Sequence, residues 1–186
     1  MELVITEIKL GGPAAKVERD AVDMLLACLQ RIRNFTGIAT RIAEIEGAGA
    51  PEIANAAEAV HRYYAIALPL HEADENDSVY PRLRARLSDQ GERASLQSMV
   101  DQHGPIDAVV ARLLPLWEKL KAHPELRGEY AKALNEDSQR LQQLWTEHLA
   151  LEEEIVFPLI RSRLTPNDLR DIHREMKVRR GVNPEE

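Results

Sequence analysis

The chain has 186 residues, enough for one domain with a sizeable buried core. Its hydrophobic fraction is 44% with only 4% aromatic, so the core must come from Leu, Ile, Val and Ala, a composition that suits helices. A net charge of −7 excludes general attraction to nucleic acid or to an anionic membrane surface.

In chain order, residues 1–16 read as an arm in which Leu3-Val4-Ile5 makes a strand-like contact, ended by Gly11-Gly12-Pro13. From about Val17 to Glu46 the apolar residues Val22, Leu25, Leu26, Leu29, Ile32, Phe35, Ile38 and Ile42 recur at helical spacing. After a loop at Gly47–Ala50, a second helix starts at Pro51, a favourable first helical residue, and runs past His71. Pro69 should kink it, and Pro81 should kink or end it. Ser88 to Arg93 reads as a polar connection, and a third helix covers Ala94 to Ala122 with bends at Gly104-Pro105 and Pro115. His123-Pro124 turns the chain into a fourth helix, from about Leu126 to Phe157. Thr165-Pro166-Asn167-Asp168 looks like the cap of a short fifth helix reaching about Arg180. Lys177, Arg179 and Arg180 read as its solvated end. Four long helices with short loops predict an all-α, up-down-up-down four-helix bundle over 17–164, with the extra helix and tail at 165–186.

One pattern occurs twice. His71-x3-Glu75-x3-Val79-Tyr80-Pro81 and His148-x3-Glu152-x3-Val156-Phe157-Pro158 begin 77 residues apart (148 − 71). On a helix, i and i+4 project to nearly the same side, so each copy presents an imidazole and a carboxylate together. Two such helices facing each other converge as helical-bundle metal sites do. Glu75 and Glu152 can bridge two metals, His71 and His148 can be terminal ligands, and the third helix offers His103. Three imidazoles and two carboxylates suit Fe, Mn or Zn. A single H-x3-E in an acid-rich chain means little, whereas two copies with the same Val-aromatic-Pro tail are hard to ascribe to solvated faces.

These residues, in this order and each on its own helix, resemble the hemerythrin-like, or HHE cation-binding, family over about residues 20 to 160. The resemblance implies a four-helix bundle with a non-haem di-iron centre. Glu75 and Glu152 would bridge the irons, and His71, His103 and His148 would be terminal ligands. It further implies binding or sensing of oxygen, iron, nitric oxide or oxidants, so the partners are a small diatomic ligand or iron. The chain departs from the family in two places. Leu29 sits where the family carries a first-helix histidine, and Gly104-Pro105 follows His103 directly. Two metals, one or none therefore stay open, as does a metal-free structural module or a di-iron oxidase or peroxidase. Cys28, Gln30 and Asp23 are the nearby substitutes for the missing histidine, with Cys28 better read as a small core residue. Glu72 and Asp107 are extra carboxylates for which a ligand and a solvated role are equally open.

Glu58-Ala59-Val60-His61 is an E-x-x-H without a matching second copy, and His61 lies roughly 15 Å along the helix from His71. His123 and His173 read as surface residues, and Trp117 and Trp145 as core. No phosphate loop or recognisable Ser or Cys nucleophile occurs. Cys28 is the only cysteine, which excludes an intrachain disulfide and fits a reducing compartment. No apolar stretch approaches the ~20 residues of a membrane span, and Met1 to Leu10 lacks a signal pattern. A soluble, cytoplasmic protein is expected. The sequence leaves open whether the C-terminal helix packs on its own bundle or on another chain, as in a homodimer.

Overall fold

The computed structural model describes residues 20–45 and 47–183; the arm with its Leu3-Val4-Ile5 contact and the start of the first helix at Val17 lie outside them. Helix α1 spans Ala21–Glu44 and is opened by a reciprocal cap between Asp20 and Asp23. Of the periodic set expected, Val22, Leu25, Leu29, Ile32 and Ile42 are buried, while Leu26, Phe35 and Ile38 are only partly so. The next helical rod runs without a break over residues 50–86, as α2 (Ala50–Arg62), π1 (Tyr63–Ala67), α3 (Leu68–Ala73), π2 (Asp74–Val79) and α4 (Tyr80–Arg86). Helix α5 spans Gln90–Ala122. A 3-10 turn at Pro124–Leu126 leads into α6 (Arg127–Leu151), π3 (Glu152–Val156) and α7 (Phe157–Arg163). Helix α8 spans Pro166–Arg179 behind a Thr165–Asp168 capping box, as expected. Among the described residues there is no strand, and no helix is long and apolar enough to cross a membrane.

Helix α1 packs against α2 and α6, and α5 packs against the same two, so the four enclose one core. Leu29, Ile32, Leu96, Ile106, Leu113 and Trp117 are among its fully buried members. Helix α8 lies on α1 and π2 of its own chain.

Three expectations about breaks are corrected. The polar stretch after Ser88 is already helical from Gln90, because Asp89 caps it by accepting from the Glu92 backbone N–H at 2.9 Å. Pro105 and Pro115 do not interrupt α5; both stand on its exposed face, where water can take the carbonyls that a proline leaves unpaired. Pro81 does not end its helix either. Pro69, Pro81 and Pro158 are each the second residue of an α-helix that follows a π turn. A proline clashes with the carbonyl four residues back and cannot donate to it. The wider turn closes instead through i+5 bonds donated just ahead of the proline: Leu68 N–H to the Tyr63 carbonyl, Tyr80 to Glu75 and Phe157 to Glu152.

Candidate metal centre

The last two of those bonds begin at the glutamates of the repeated motif. The spacing from Glu75 to Tyr80, and from Glu152 to Phe157, is the span of a π bond, and the proline after the aromatic residue keeps the turn from tightening to α. The motif thus encodes a local backbone geometry as well as a pair of side chains.

His71, Glu75, His103, His148 and Glu152 are all buried, none more than 5% exposed. His71 Nε2 lies 3.3 Å from Glu75 Oε1, and His103 Nε2 lies 3.0 Å from Glu75 Oε2. His148 Nε2 is 2.7 Å from Glu152 Oε1 and 3.9 Å from Glu75 Oε2. Two groups can hold a metal ion, Glu75–His103–His148 and His71–Glu75–Glu152, each with its ligand atoms within 4.8 Å of one another. Glu75 belongs to both. All five residues picked out from the sequence are therefore brought together.

Their environment does not satisfy them. Seven of their nitrogen and oxygen atoms find no hydrogen-bond partner: both nitrogens of His71, Glu75 Oε1, His103 Nδ1, His148 Nε2 and both oxygens of Glu152. Each such buried orphan costs about 1–3 kcal/mol. The 2.7 Å contact of His148 with Glu152 makes no hydrogen bond despite its length. Apart from the His103–Glu75 hydrogen bond, the five groups crowd together without satisfying one another; this fits a cation among them, and so the donor set suits a metal.

Burial sets their protonation. It pushes His148 down to about 4 and lowers His71 as well. It pushes the Glu152 carboxyl up to about 8. His103 is the exception: burial disfavours its charge, but the adjoining Glu75 carboxylate outweighs this and raises it. His148 Nδ1 lies 3.0 Å from Gln102 Oε1, and this contact assigns the proton to Nδ1, leaving Nε2 a bare lone pair. Gln102 was not visible from the sequence, because an isolated amide within a helix follows no ligand spacing.

No first-helix residue joins either group. Leu29 is fully buried in the hydrophobic core. Cys28 is buried as expected, its Sγ 3.7 Å from Arg31 Nη1 and 3.9 Å from Arg180 Nη2. Asp23 serves the α1 cap, and Gln30 is exposed. Asp107 is exposed beside a half-buried Glu72, whose carboxyl burial and Asp107 push up to about 7. Neither belongs to the two groups. Trp117 and Trp145 are core as expected, and Trp145 packs edge-on against His148 with ring centroids 5.3 Å apart. His123 is exposed, whereas His173 is half-buried on α8. Arg179 and Arg180 are not a solvated end: they bind Asp74, which is fully buried next to Glu75.

An all-helical bundle with a buried cluster of imidazoles and carboxylates defines a class of helical cation-binding domains. Over residues 20–160 the chain matches the family model of the Hemerythrin HHE cation binding domain, and it belongs to that family. No curated protein matches the chain.

Proposed function

We propose that this chain is a non-haem iron protein whose centre binds or senses a small diatomic ligand or an oxidant. The carrying observation is the set of seven unpartnered nitrogen and oxygen atoms on five buried residues around Glu75. In this reading Glu75, which belongs to both groups, and Glu152 would hold the iron through their carboxylates, and His71, His103 and His148 would supply nitrogen. The bundle runs up-down-up-down in this reading, as its short connections favour. Iron, when bound, supplies one-electron chemistry and affinity for diatomic ligands. The chain's own residues do the rest: burial keeps His71 and His148 neutral and ready to donate, Gln102 orients His148, and Glu152 gives up a proton as a cation arrives.

Metal content per chain of untagged protein from iron-supplemented cells tests this. About two irons are expected for a bridged site, and one for a half-site. Glu75→Ala and Glu152→Ala should each abolish binding, and iron retained by the double variant would sink the assignment. Leu29 favours a second reading, a fold kept as a metal-free structural or interaction module, since an apolar core residue stands where the family carries a ligand. A folded protein that takes up no metal would select it.

A further inference from the structure

Helix α8 lies beyond the residues matched to the family, which end at 160, yet it reaches the backbone of the metal centre. Asp74 and Ser78, both fully buried, flank Glu75 on π2. Arg179 Nη1 donates to Asp74 Oδ1 at 2.9 Å and Arg180 Nη2 to Asp74 Oδ2 at 2.6 Å, so each carboxylate oxygen has its own guanidinium. Arg179 Nη2 also donates to Ser78 Oγ at 2.8 Å, and Ser78 Oγ donates to Glu175 Oε2 at 2.5 Å. Arg82 of α4 closes the cluster by binding both oxygens of Glu175, at 2.7 and 3.0 Å. Among the described residues, the salt bridges to Asp74 come from Arg179, the last residue of α8, and Arg180, its cap.

We infer that α8 is a latch on the metal centre: Arg179 and Arg180 grip Asp74 and thereby fix the π turn that presents Glu75. The inference rests on the cation-binding reading above. With α8 undocked, Asp74 would lose both guanidiniums and the cover that α8 gives it, so its carboxylate would turn toward water and draw the π2 backbone with it. Glu75 is the next residue and belongs to both candidate metal groups, so it cannot keep its place while Asp74 moves. The latch is built to end at the right point. Gly181, at φ 68°, closes α8 with Gly181 N–H on the Val178 carbonyl and Val182 N–H on that of Lys177, placing both arginines in the final turn. At 14 residues α8 is marginal alone and owes its order to docking, through Ile172 and Met176 as well as the arginines. Coupling of this kind is reciprocal. A docked α8 tightens metal binding, and a bound metal holds α8 down.

The test uses the full chain and Co(II) as probe. Hydrogen exchange of the α8 amides in wild type should slow about tenfold on Co(II) loading, and Arg179→Gln/Arg180→Gln should weaken Co(II) binding about tenfold while its metal-free circular dichroism stays helical. Arg112→Gln, which breaks the exposed Arg112–Asp137 pair elsewhere, should leave Co(II) affinity unchanged. Unaltered α8 exchange on loading, or a folded double variant that binds Co(II) like wild type, overturns the latch and leaves the metal site standing. Wild type that takes up no Co(II) overturns both. If the double variant fails to fold, the exchange comparison in wild type decides alone.

Discussion

His148 and Glu152 stand 2.7 Å apart with their ordinary protonation preferences reversed by burial, which gives the metal-free protein an unusual pH response. Glu152 releases its proton near 4.5 when unfolded and near 8 when folded, so between those values the native state holds a proton that the unfolded state has lost. Its stabilising effect is therefore present at low pH and disappears as pH rises to 8. His148 works the other way: the unfolded ring takes a proton below 6.5 and the folded ring not until about 4, so stability falls as pH drops through that window. Lowered His71 adds to the second effect and raised His103 to the first. Glu72, raised to about 7, adds a second falling slope up to that pH, so the falling slopes outweigh the opposing one below 6.5 and alone remain above it. Denaturant titration of metal-free protein should thus find stability dropping by about 2 kcal/mol between pH 6.5 and 8. A flat profile would mean that Glu152 is already ionised in the apo form. Four members of the buried cluster were legible in the sequence because the H-x3-E pair repeats at helical spacing, and His103 was legible as the histidine of the third helix. Gln102 and Asp74 were not, since neither repeats. The grip on Asp74 comes from Arg179, 105 residues away, and no local pattern joins them.

At the scale of elements, the prolines carry the main lesson. Sequence reasoning placed Pro69 and Pro81 as kinks or stops, because proline removes a helical hydrogen bond. The structure keeps each helix going by widening the turn ahead of it, an outcome that depends on i+5 bonding and leaves no trace in residue periodicity. Pro81→Ala and Pro158→Ala should therefore separate stability from function. Alanine favours the helix intrinsically by about 3 kcal/mol over proline, so thermal stability of the apo protein should hold or rise. With nothing to prevent the π turn from tightening, Glu75 or Glu152 rotates away from its partners, and Co(II) affinity should fall. Equal affinity in both variants would show that the wide turns persist without proline. The long helices α1 and α5 were legible within a few residues, whereas the fourth, expected to end near Phe157, runs on through π3 and α7 to Arg163 because its proline too is carried by a wide turn. The start of α5 was missed because Gln90, Gly91 and Glu92 look like a loop until Asp89 is recognised as their cap.

For the whole molecule, the order of helices α1, α2, α5 and α6 around one core follows from four periodic segments and short connections. The place of α8 did not, since a short amphipathic helix fits its own bundle and a second chain equally well on sequence grounds. Because the buried His/Glu cluster leaves orphaned polar atoms in the core, a cation that satisfies them should stabilise the folded chain as a unit. Metal at about a hundred times its dissociation constant should add about 2.7 kcal/mol, read as a rise in thermal midpoint that a chelator reverses. The edge-on contact of Trp145 with His148 has an optical consequence. An indole within 5.3 Å of a ligand ring sits close enough for a paramagnetic ion to quench its emission, while Trp117, stacked on Tyr64, reports from the neighbouring core. With only two tryptophans in the chain, the ultraviolet fluorescence of this protein should track metal loading without a label: emission that falls as a paramagnetic ion is added would show the cluster filling.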